Sequence, residues 1–438
     1  MVHKSTIKLV TAVGLSALLA LTGCSAGSRS GSQSVEAVAC DVSGQDEKIT
    51  VNVLAYNSSA TDPFSNMMVA SCTKDNVTVA HAPIDFGGQY QKTSTTLAGD
   101  TASYDVIEMY SGAVPRYAST GKLLPLNDLF EKYKDTYKLG ELSEAMVKGL
   151  SYDGKLYALP TQANVGTLVY RKDIYDELGL DAPETYADVL SDAQKIQAAG
   201  KIKYPVALPF GDSTSTLYEG TLASQGKTYV DPSAKEPTFQ SSEAKKGLES
   251  LTALTPYMDP QVISFDQPRV QQQLFNGTAA IAIMYSGRMA DVVNPKFSQN
   301  ADDFAFAPAP SIAPGGKSSA ILSVDGWSIP HNSTVDPDLL FRMMAASITE
   351  EASNQALPFA YPARDKVVTE EKVPYAAAVQ DALANGAGTP PLETWLGTMQ
   401  SDTASLLKQA LTGQQSVQDA LAAAQEAAVR ALAKSGSK

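Results

Sequence analysis

The segments ITVNVLA (residues 49–55), NVTVA (76–80) and YDVIEM (104–109) decide the predicted fold. The first two are β-branched and the third is mostly apolar, which is typical of strands. Helical patterns occupy residues 63–72 and 89–97 between them. Strands that alternate with helices predict an α/β protein, with a parallel sheet that is covered by helices on both faces.

The alternation of strands and helices continues along the chain. SYDGKLYAL (151–159) predicts a hairpin with Asp153 and Gly154 at its turn. Further strands are predicted at 204–208 and 279–284, and residues 392–434 have an almost wholly helical pattern. The chain shows no internal repeat, so a repeat architecture is not expected.

The composition is that of a globular protein, since 44% of the 438 residues are hydrophobic and 18% are charged. At roughly 150 residues per domain, this length predicts two to three domains. Lys and Arg total 34 and Asp and Glu total 47, and the net charge of −13 argues against nucleic acid or an anionic membrane surface as a partner. Three Cys and three His are too few for a zinc cluster of the usual spacing, so we expect no metal and no other cofactor.

The first residues have the features of a secretion signal. Lys4 and Lys8 flank the start of an apolar run of 13 residues at 9–21, which is too short for a membrane span but fits a signal peptide. The run ends in Leu21-Thr22-Gly23-Cys24, which resembles a bacterial lipobox. We predict a signal peptide at 1–23, a lipid on Cys24 and a flexible tether at 24–47. An ordinary secretory signal is the alternative.

Two cysteines remain after lipidation, Cys40 and Cys72. Outside the cytoplasm an even pair favours a disulfide over two free thiols. The bond would close a loop of about 30 residues and stabilise the fold by about 3 kcal/mol in the chain-entropy model. No C-x-x-C motif is present, so we expect no redox catalysis from this pair.

Catalytic motifs are absent from the sequence. It contains no G-x-S-x-G, H-E-x-x-H, EF-hand loop or G-x-G-x-x-G after a strand. Gly211-Asp212-Ser213 could form a nucleophile turn, but His81 and His331, the histidines beyond the signal peptide, lack the context of a hydrolase base. The sequence does not exclude the paired carboxylates of a glycoside hydrolase, because the two residues of such a pair are distant from each other in sequence. We predict no catalytic residue.

Six short segments in order along the chain point to one known family. The segments are LAGD with YDVI (97–107), GKLLPLND (121–128), DGKLYALP with LVYRKD (153–173), FNGTAAI (275–281), DGWSI (325–329) and PAR (362–364). From residue 48 to the C-terminus the chain resembles the extracellular solute-binding proteins of family 1, the maltose-binding-protein-like subunits of ABC importers.

The resemblance implies a two-lobed periplasmic-binding-protein type II fold, with a ligand cleft between the lobes and three crossover hinge segments. Lobe one would comprise 48–160 and 285–326, and lobe two would comprise 161–284 and 327–438. The resemblance further implies a monomer at the outer face of the bacterial cell membrane, held there by its lipid alone. It would bind a carbohydrate and deliver it to the ABC permease by hinge closure, without chemistry on the ligand.

A sugar site needs aromatic side chains that stack on the ring, together with polar side chains that bond its hydroxyl groups. With nineteen Tyr and two Trp, Tyr is the expected stacking residue. Positions that match the family, together with Tyr218 on a Ser- and Thr-rich segment, give the predicted ligand-binding set: Tyr56, Asn57, Tyr110, Gln162, Asn164, Tyr170, Tyr218, Tyr285, Arg288, Asp325, Trp327 and Arg364.

Two other functions stay open at this point. One is an extracellular glycan-active enzyme, which would need two close carboxylates in the cleft. The other is a peptide or amino-acid receptor, in which Asp325 and either Arg288 or Arg364 would hold the amine and the carboxylate. The number of tyrosines favours a neutral sugar or a polyol.

Overall fold

A computed structural model describes residues 34–436. The predicted signal peptide, the lipidation site Cys24 and the tether up to residue 33 lie outside the described residues. Within 34–436 no helix combines the length and the apolar character that a membrane span requires.

The strands carry the central sheet and one separate hairpin. They are β1 (Ile49–Leu54), β2 (Val77–His81), β3 (Val106–Tyr110), β4 (Ser151–Tyr152), β5 (Lys155–Leu156), β6 (Leu159–Arg171), β7 (Val206–Ala207), β8 (Ile281–Tyr285), β9 (Phe304–Pro308), β10 (Leu322–Ser328) and β11 (Tyr361–Pro362).

The α-helices lie between the strands along the chain and after the last of them. They are α1 (Asp62–Cys72), α2 (Phe86–Ala98), α3 (Val114–Ala118), α4 (Asn127–Tyr133), α5 (Glu144–Gly149), α6 (Lys172–Leu178), α7 (Tyr186–Ala198), α8 (Thr214–Ala223), α9 (Ser242–Leu254), α10 (Gln267–Phe275), α11 (Met289–Val292), α12 (Pro337–Ala346), α13 (Glu350–Ala356), α14 (Ala376–Ala384), α15 (Leu396–Leu411) and α16 (Val417–Gly436).

The predicted strands of the N-terminal region are present. β1 lies between β2 and β3 and pairs with both in parallel, as strand–helix alternation predicts. Asp153 and Gly154, both with positive φ, form the turn of the predicted hairpin between β4 and β5. The predicted C-terminal helix is two helices, α15 and α16, because the chain turns between Leu411 and Val417.

One long strand joins the two parts of the sheet. β6 has 13 residues and is largely buried. Its first half pairs with β10, which in turn pairs with β3, and its second half pairs with β8 and β9. The middle of β6 is therefore the point at which two groups of strands meet. We name the β1–β3 side the first lobe and the β7–β9 side the second lobe.

The packing of the later segments divides each of two expected lobe ranges between the two lobes. Residues 285–326 were expected in lobe one, but β9 pairs with the second half of β6. Residues 327–438 were expected in lobe two; α12 and α13 pack against α1 in the first lobe, whereas α15 and α16 pack against α8 and α9 in the second lobe. The family segments show where a strand crosses, but they do not determine which lobe the chain enters next.

A segment before β1 is fastened to the first lobe. Cys40 and Cys72 form a disulfide, the pairing that the sequence predicts. Asp41 forms an ion pair with Arg342 on α12 at 2.7 Å. The backbone N–H of Val38 donates to Ser71 Oγ at 2.9 Å. The described residues before β1 therefore lie on the face formed by α1, α12 and α13.

Candidate functional site

A cavity of about 390 Å³ lies between the two lobes. Its position follows from strand register: Tyr110 lies opposite Asp325, Asp325 opposite Gln162, and Gly166 opposite Tyr285. The ends of β3 and β8 and the middle of β10 thus converge at the middle of β6. Residues from both lobes line the same space.

The first lobe contributes an aromatic wall, which consists of Tyr56, Phe86, Tyr90 and Tyr110. β1 and β3 are parallel neighbours, so Tyr56 after β1 and Tyr110 at the end of β3 reach the same sheet edge. The Phe86 ring centroid lies 5.7 Å from that of Tyr56 and 5.4 Å from that of Tyr110. At these distances the rings support one another in edge-on and tilted packing. The wall presents ring surface to the cavity.

The second lobe contributes a polar wall, which consists of Asp212, Ser213, Thr216, Glu219, Gln267 and Gln400. Thr216 and Glu219 are three residues apart on α8 and therefore share one face of that helix. Gln400 Nε2 donates to Glu219 Oε2 at 2.8 Å. Burial raises the pKa of Glu219 to about 7, and it also raises the pKa of Asp212. This wall offers carboxyl, hydroxyl and amide groups.

Asp325 and Asn164 form the floor between the walls. Asn164 Nδ2 and Gln162 Nε2 donate to the same oxygen of Asp325, at 2.7 and 3.2 Å. Asn164 Oδ1 accepts from the backbone N–H of Gly287 in the second lobe at 3.1 Å. Burial raises the pKa of Asp325 to about 7. The floor therefore holds a buried carboxyl group that amide donors orient.

A buried acid behind the floor connects it to the aromatic wall. Glu108 accepts from the backbone N–H of Tyr56 and from Thr61 Oγ1, both at 3.0 Å. Gln162 Nε2 also donates to Thr61 Oγ1, at 3.2 Å. Burial, together with the nearby Asp325 charge, raises the pKa of Glu108 well above its usual range. Hydrogen bonds thus connect the backbone of Tyr56 to Asp325 through the buried side chains of Glu108, Thr61 and Gln162.

Six of the predicted ligand-binding residues line the cavity: Tyr56, Tyr110, Asn164, Tyr285, Arg288 and Asp325. Gln162 does not line it, but it hydrogen-bonds to Asp325 from behind. Asn57 lines a smaller cavity nearby. Half of the predicted ligand-binding residues are therefore together in space around one cavity.

Two residues of the family segments do not line the cavity. Trp327 is 1% exposed, and its indole N–H donates to Ser347 Oγ at 3.0 Å. Arg364 is 3% exposed and donates to the backbone carbonyls of Ile348 and Lys138 at 2.7 and 3.1 Å. Both side chains are fixed within the first lobe by these bonds, and their ligand contacts stay predictions.

Two predicted tyrosines are packing residues. Tyr218 is fully buried and lies in a ring cluster with Tyr229 and Phe239. Tyr170 lies near the far end of β6, where its ring centroid is 4.7 Å from that of Tyr175. Neither lines the cavity, so neither prediction is upheld by the geometry.

Several cavity residues were missed. Phe86 follows β2 at the same sheet edge as Tyr56, so the argument from parallel strand ends could have identified it. Asp212 and Ser213 stood out only as a possible nucleophile turn, and Ser213 Oγ donates to Asp212 rather than to a histidine. His81 and His331 instead hydrogen-bond to backbone carbonyls. Among residues 34–436, no group of His, Cys, Asp or Glu suits a metal ion.

Comparison with known proteins places the fold and the family. Residues 57–338 match the model of the bacterial extracellular solute-binding proteins. A mannitol-binding protein of Pseudomonas aeruginosa is 28% identical over 79% of this chain and 84% of its own length. A probable amino-acid ABC transporter periplasmic-binding protein of Sinorhizobium fredii is 26% identical over 67% and 70%.

A solved structure supports the same fold. The ABC transporter solute-binding protein of Agrobacterium radiobacter, in complex with ribitol, aligns with a TM-score of 0.77 at 21% identity. The alignment covers 88% of this chain and 99% of that protein. The predicted fold class is confirmed.

Proposed function

Because the chain belongs to the bacterial extracellular solute-binding proteins, we propose that it binds a short sugar or a polyol between its lobes for an ABC importer. The observation that carries this proposal is the aromatic wall opposite a polar wall across one cavity. Sugars and polyols have apolar C–H surfaces and many hydroxyl groups, so they suit one wall of each kind.

The size of the cavity supports a small solute. About 390 Å³ lies near the lower end of the range for small-molecule sites, which is roughly 300–1,000 Å³. The relative of Pseudomonas aeruginosa is named as mannitol-binding. Both observations favour a monosaccharide, a disaccharide or a polyol over a long oligosaccharide.

Solute binding would be signalled by closure of the lobes, because each wall of the cavity belongs to a different lobe. A solute that contacts both lobes stabilises the arrangement in which they are close, and it therefore favours a closed state. The permease would recognise that state. In this proposal the protein is a monomer, the ligand leaves unchanged, and a lipid on Cys24 keeps the protein at the outer face of the membrane.

An amino acid is the second candidate ligand. Arg288 and Asp325 line the same cavity, so a cationic and an anionic group are both available. A relative is named as a probable amino-acid ABC transporter periplasmic-binding protein. Arg364 takes no part in such a clamp because it bonds backbone carbonyls elsewhere.

Isothermal titration calorimetry of the purified protein tests the proposal. The panel contains mannitol, ribitol, sorbitol, glucose, maltose, cellobiose and a set of amino acids. A selective ligand among the sugars and polyols, with one site per chain, is the expected result. Such a ligand at 100 times its Kd adds about 2.7 kcal/mol to stability, so thermal denaturation gives a second readout. Binding of amino acids alone would overturn the sugar and polyol assignment.

A further inference from the structure

A second cavity of about 120 Å³ also lies between the lobes. The loop Asn57–Ser59 after β1 forms one side, and residues of α10 and α11 form the other. Among the described residues that line the two cavities, Arg288 is the one that they share. The smaller cavity is therefore a neighbour of the main cavity, and Arg288 borders both.

Arg288 spans the gap between the lobes. Its backbone carbonyl accepts from Gln271 Nε2 at 2.8 Å, which fixes its main chain in the second lobe. Its guanidinium carbon lies 6.0 Å from the ring centroid of Tyr56 in the first lobe. The side chain therefore extends from one lobe to the aromatic wall of the other.

The smaller cavity has the chemistry of a hydroxyl-binding space. Its lining supplies hydroxyl, amide, carboxylate and guanidinium groups, from residues that include Ser59, Arg269, Gln271 and Asp291. Ser59 Oγ donates to Asp291 Oδ2 at 2.6 Å, and this bond joins the lobes beside the cavity. Such donors and acceptors are those that sugar hydroxyls require.

We propose that Arg288 determines the length of the solute by closing off the smaller cavity, which is a latent subsite for one further sugar ring. This inference rests on the proposed function and deepens it. With arginine at 288 the protein selects solutes that fit the main cavity. With a short side chain at 288 the two cavities join, and the polar lining of the smaller one becomes available to a longer saccharide.

Titration calorimetry on the full chain with variants at 288 tests the inference. The probes are glucose, maltose and maltotriose; cellobiose and cellotriose; and sorbitol with its glucosyl derivative maltitol. The measured quantity is the ratio of Kd for the longer member of a series to Kd for the shorter member. Arg288→Ala should lower this ratio at least about tenfold, since hydrogen bonds to charged groups in the smaller cavity become available.

Two further variants distinguish the effect of the length of the Arg288 side chain from the effect of its charge, and they provide a control for misfolding. Arg288→Met keeps a long side chain without the charge, so it should leave the ratio within about twofold of the wild-type value. Arg288→Ser supplies a second truncation, and thermal denaturation shows which variants are folded. In the Arg288→Ala background, Arg269→Ala should reverse at least part of the gained affinity for the longer solute, since the two sites then share one ligand.

The outcomes distinguish this inference from the proposed function. If the wild type binds a probe and the truncated variants keep its length ratio, the inference is wrong while the proposed function stands. An equal fall of the ratio in the Met and Ala variants would assign the selectivity to charge and also overturn the inference. If the wild type binds no sugar or polyol at all, the proposed function fails and the inference fails with it.

Discussion

The two walls of the cavity differ in what they contribute to folding and to binding. Phe86 and Tyr90 of the aromatic wall are 47% and 42% exposed, so their rings are available to a solute. Glu219 of the polar wall is 3% exposed and pairs with a neutral amide. The aromatic wall thus keeps ring surface exposed, whereas the polar wall holds an ionisable group that folding removes from water.

This difference has an energetic consequence. An exposed ring loses little when the protein unfolds, because it is already partly in water. A buried carboxyl group that lacks a cationic partner disfavours its own charged form. Changes in the polar wall should therefore affect stability and its dependence on pH, whereas changes in the aromatic wall should affect ligand affinity.

Glu219→Gln should have the largest effect of these substitutions. It tests whether changes in the polar wall alter the stability of the protein. The folded-state pKa of Glu219 is raised to about 7 from 4.5, so the stability that its neutral form provides is fully present below pH 4.5 and is lost as pH rises through 7. The amide variant has no such loss. Relative to the wild type, its free energy of unfolding should gain about 3 kcal/mol between pH 4.5 and pH 8. Denaturant titration of the ligand-free proteins at both pH values measures this.

Glu243→Gln on the neighbouring helix α9 is the matched control. Glu243 accepts a hydrogen bond from Ser242 at the helix start, and this bond and those from the backbone lower the pKa of its carboxyl group. Its variant should therefore not become more stable relative to the wild type as pH rises. A flat pH response from Glu219→Gln would show that Glu219 ionises in the folded protein without cost, and the contrast between the walls would disappear.

The same contrast explains how much of the site the sequence could predict. Tyr56 and Tyr110 were predicted from positions that match the family, and each directly follows a strand that a local pattern in the sequence predicts. Glu219 and Gln400 meet across 181 residues, through the packing of α8 against α15, and no local pattern indicates that contact. The strands of the first lobe were predictable because they follow from local order in the sequence. The lobe assignments after residue 285 were not predictable, because they depend on contacts between segments that are distant in sequence.

Sequence motifs identified the family but overstated some residues. Trp327 lies in a segment that resembles the family, yet it packs in the core with its N–H on Ser347. Arg364 lies in another such segment, yet it bonds the carbonyls of Ile348 and Lys138. Side chains of this size can pack in the core or contact a ligand, and only the folded structure distinguishes these two roles.

Gly287→Ala should have an intermediate effect, because it places a methyl group where the lobes approach each other. A Cβ at 287 would lie 2.4 Å from Asn164 Oδ1 and 3.0 Å from the Cβ of Ala60 in the first lobe. This overlap is relieved only if Asn164 moves away from Asp325 or if the lobes separate. Overpacking of this kind costs about 1–3 kcal/mol of stability. Either change should raise the Kd for the ligand about tenfold, as measured by calorimetry.

Gly140→Ala is the control for a glycine substitution away from the cavity. Its Cβ would meet Lys134 Cε at an ordinary 3.7 Å, so ligand affinity should not change. Unchanged affinity in Gly287→Ala would mean that the floor adapts to the added methyl group. The floor would then be less rigid than its hydrogen bonds to Asp325 indicate.

Phe86→Ala should have the smallest effect, confined to affinity. The ring lines the cavity beside Tyr56 and Tyr110, and a solute that packs on this ring loses a contact worth about 1 kcal/mol when the ring is removed. The Kd should therefore rise about fivefold, while the thermal midpoint without ligand changes little because the ring is 47% exposed. Phe86→Tyr should keep most of the affinity, and Val429→Ala, at an equally exposed site on α16, should keep all of it. A loss of stability without a loss of affinity in Phe86→Ala would reverse the assignment, because the aromatic wall would then serve the fold and the polar wall alone would hold the solute.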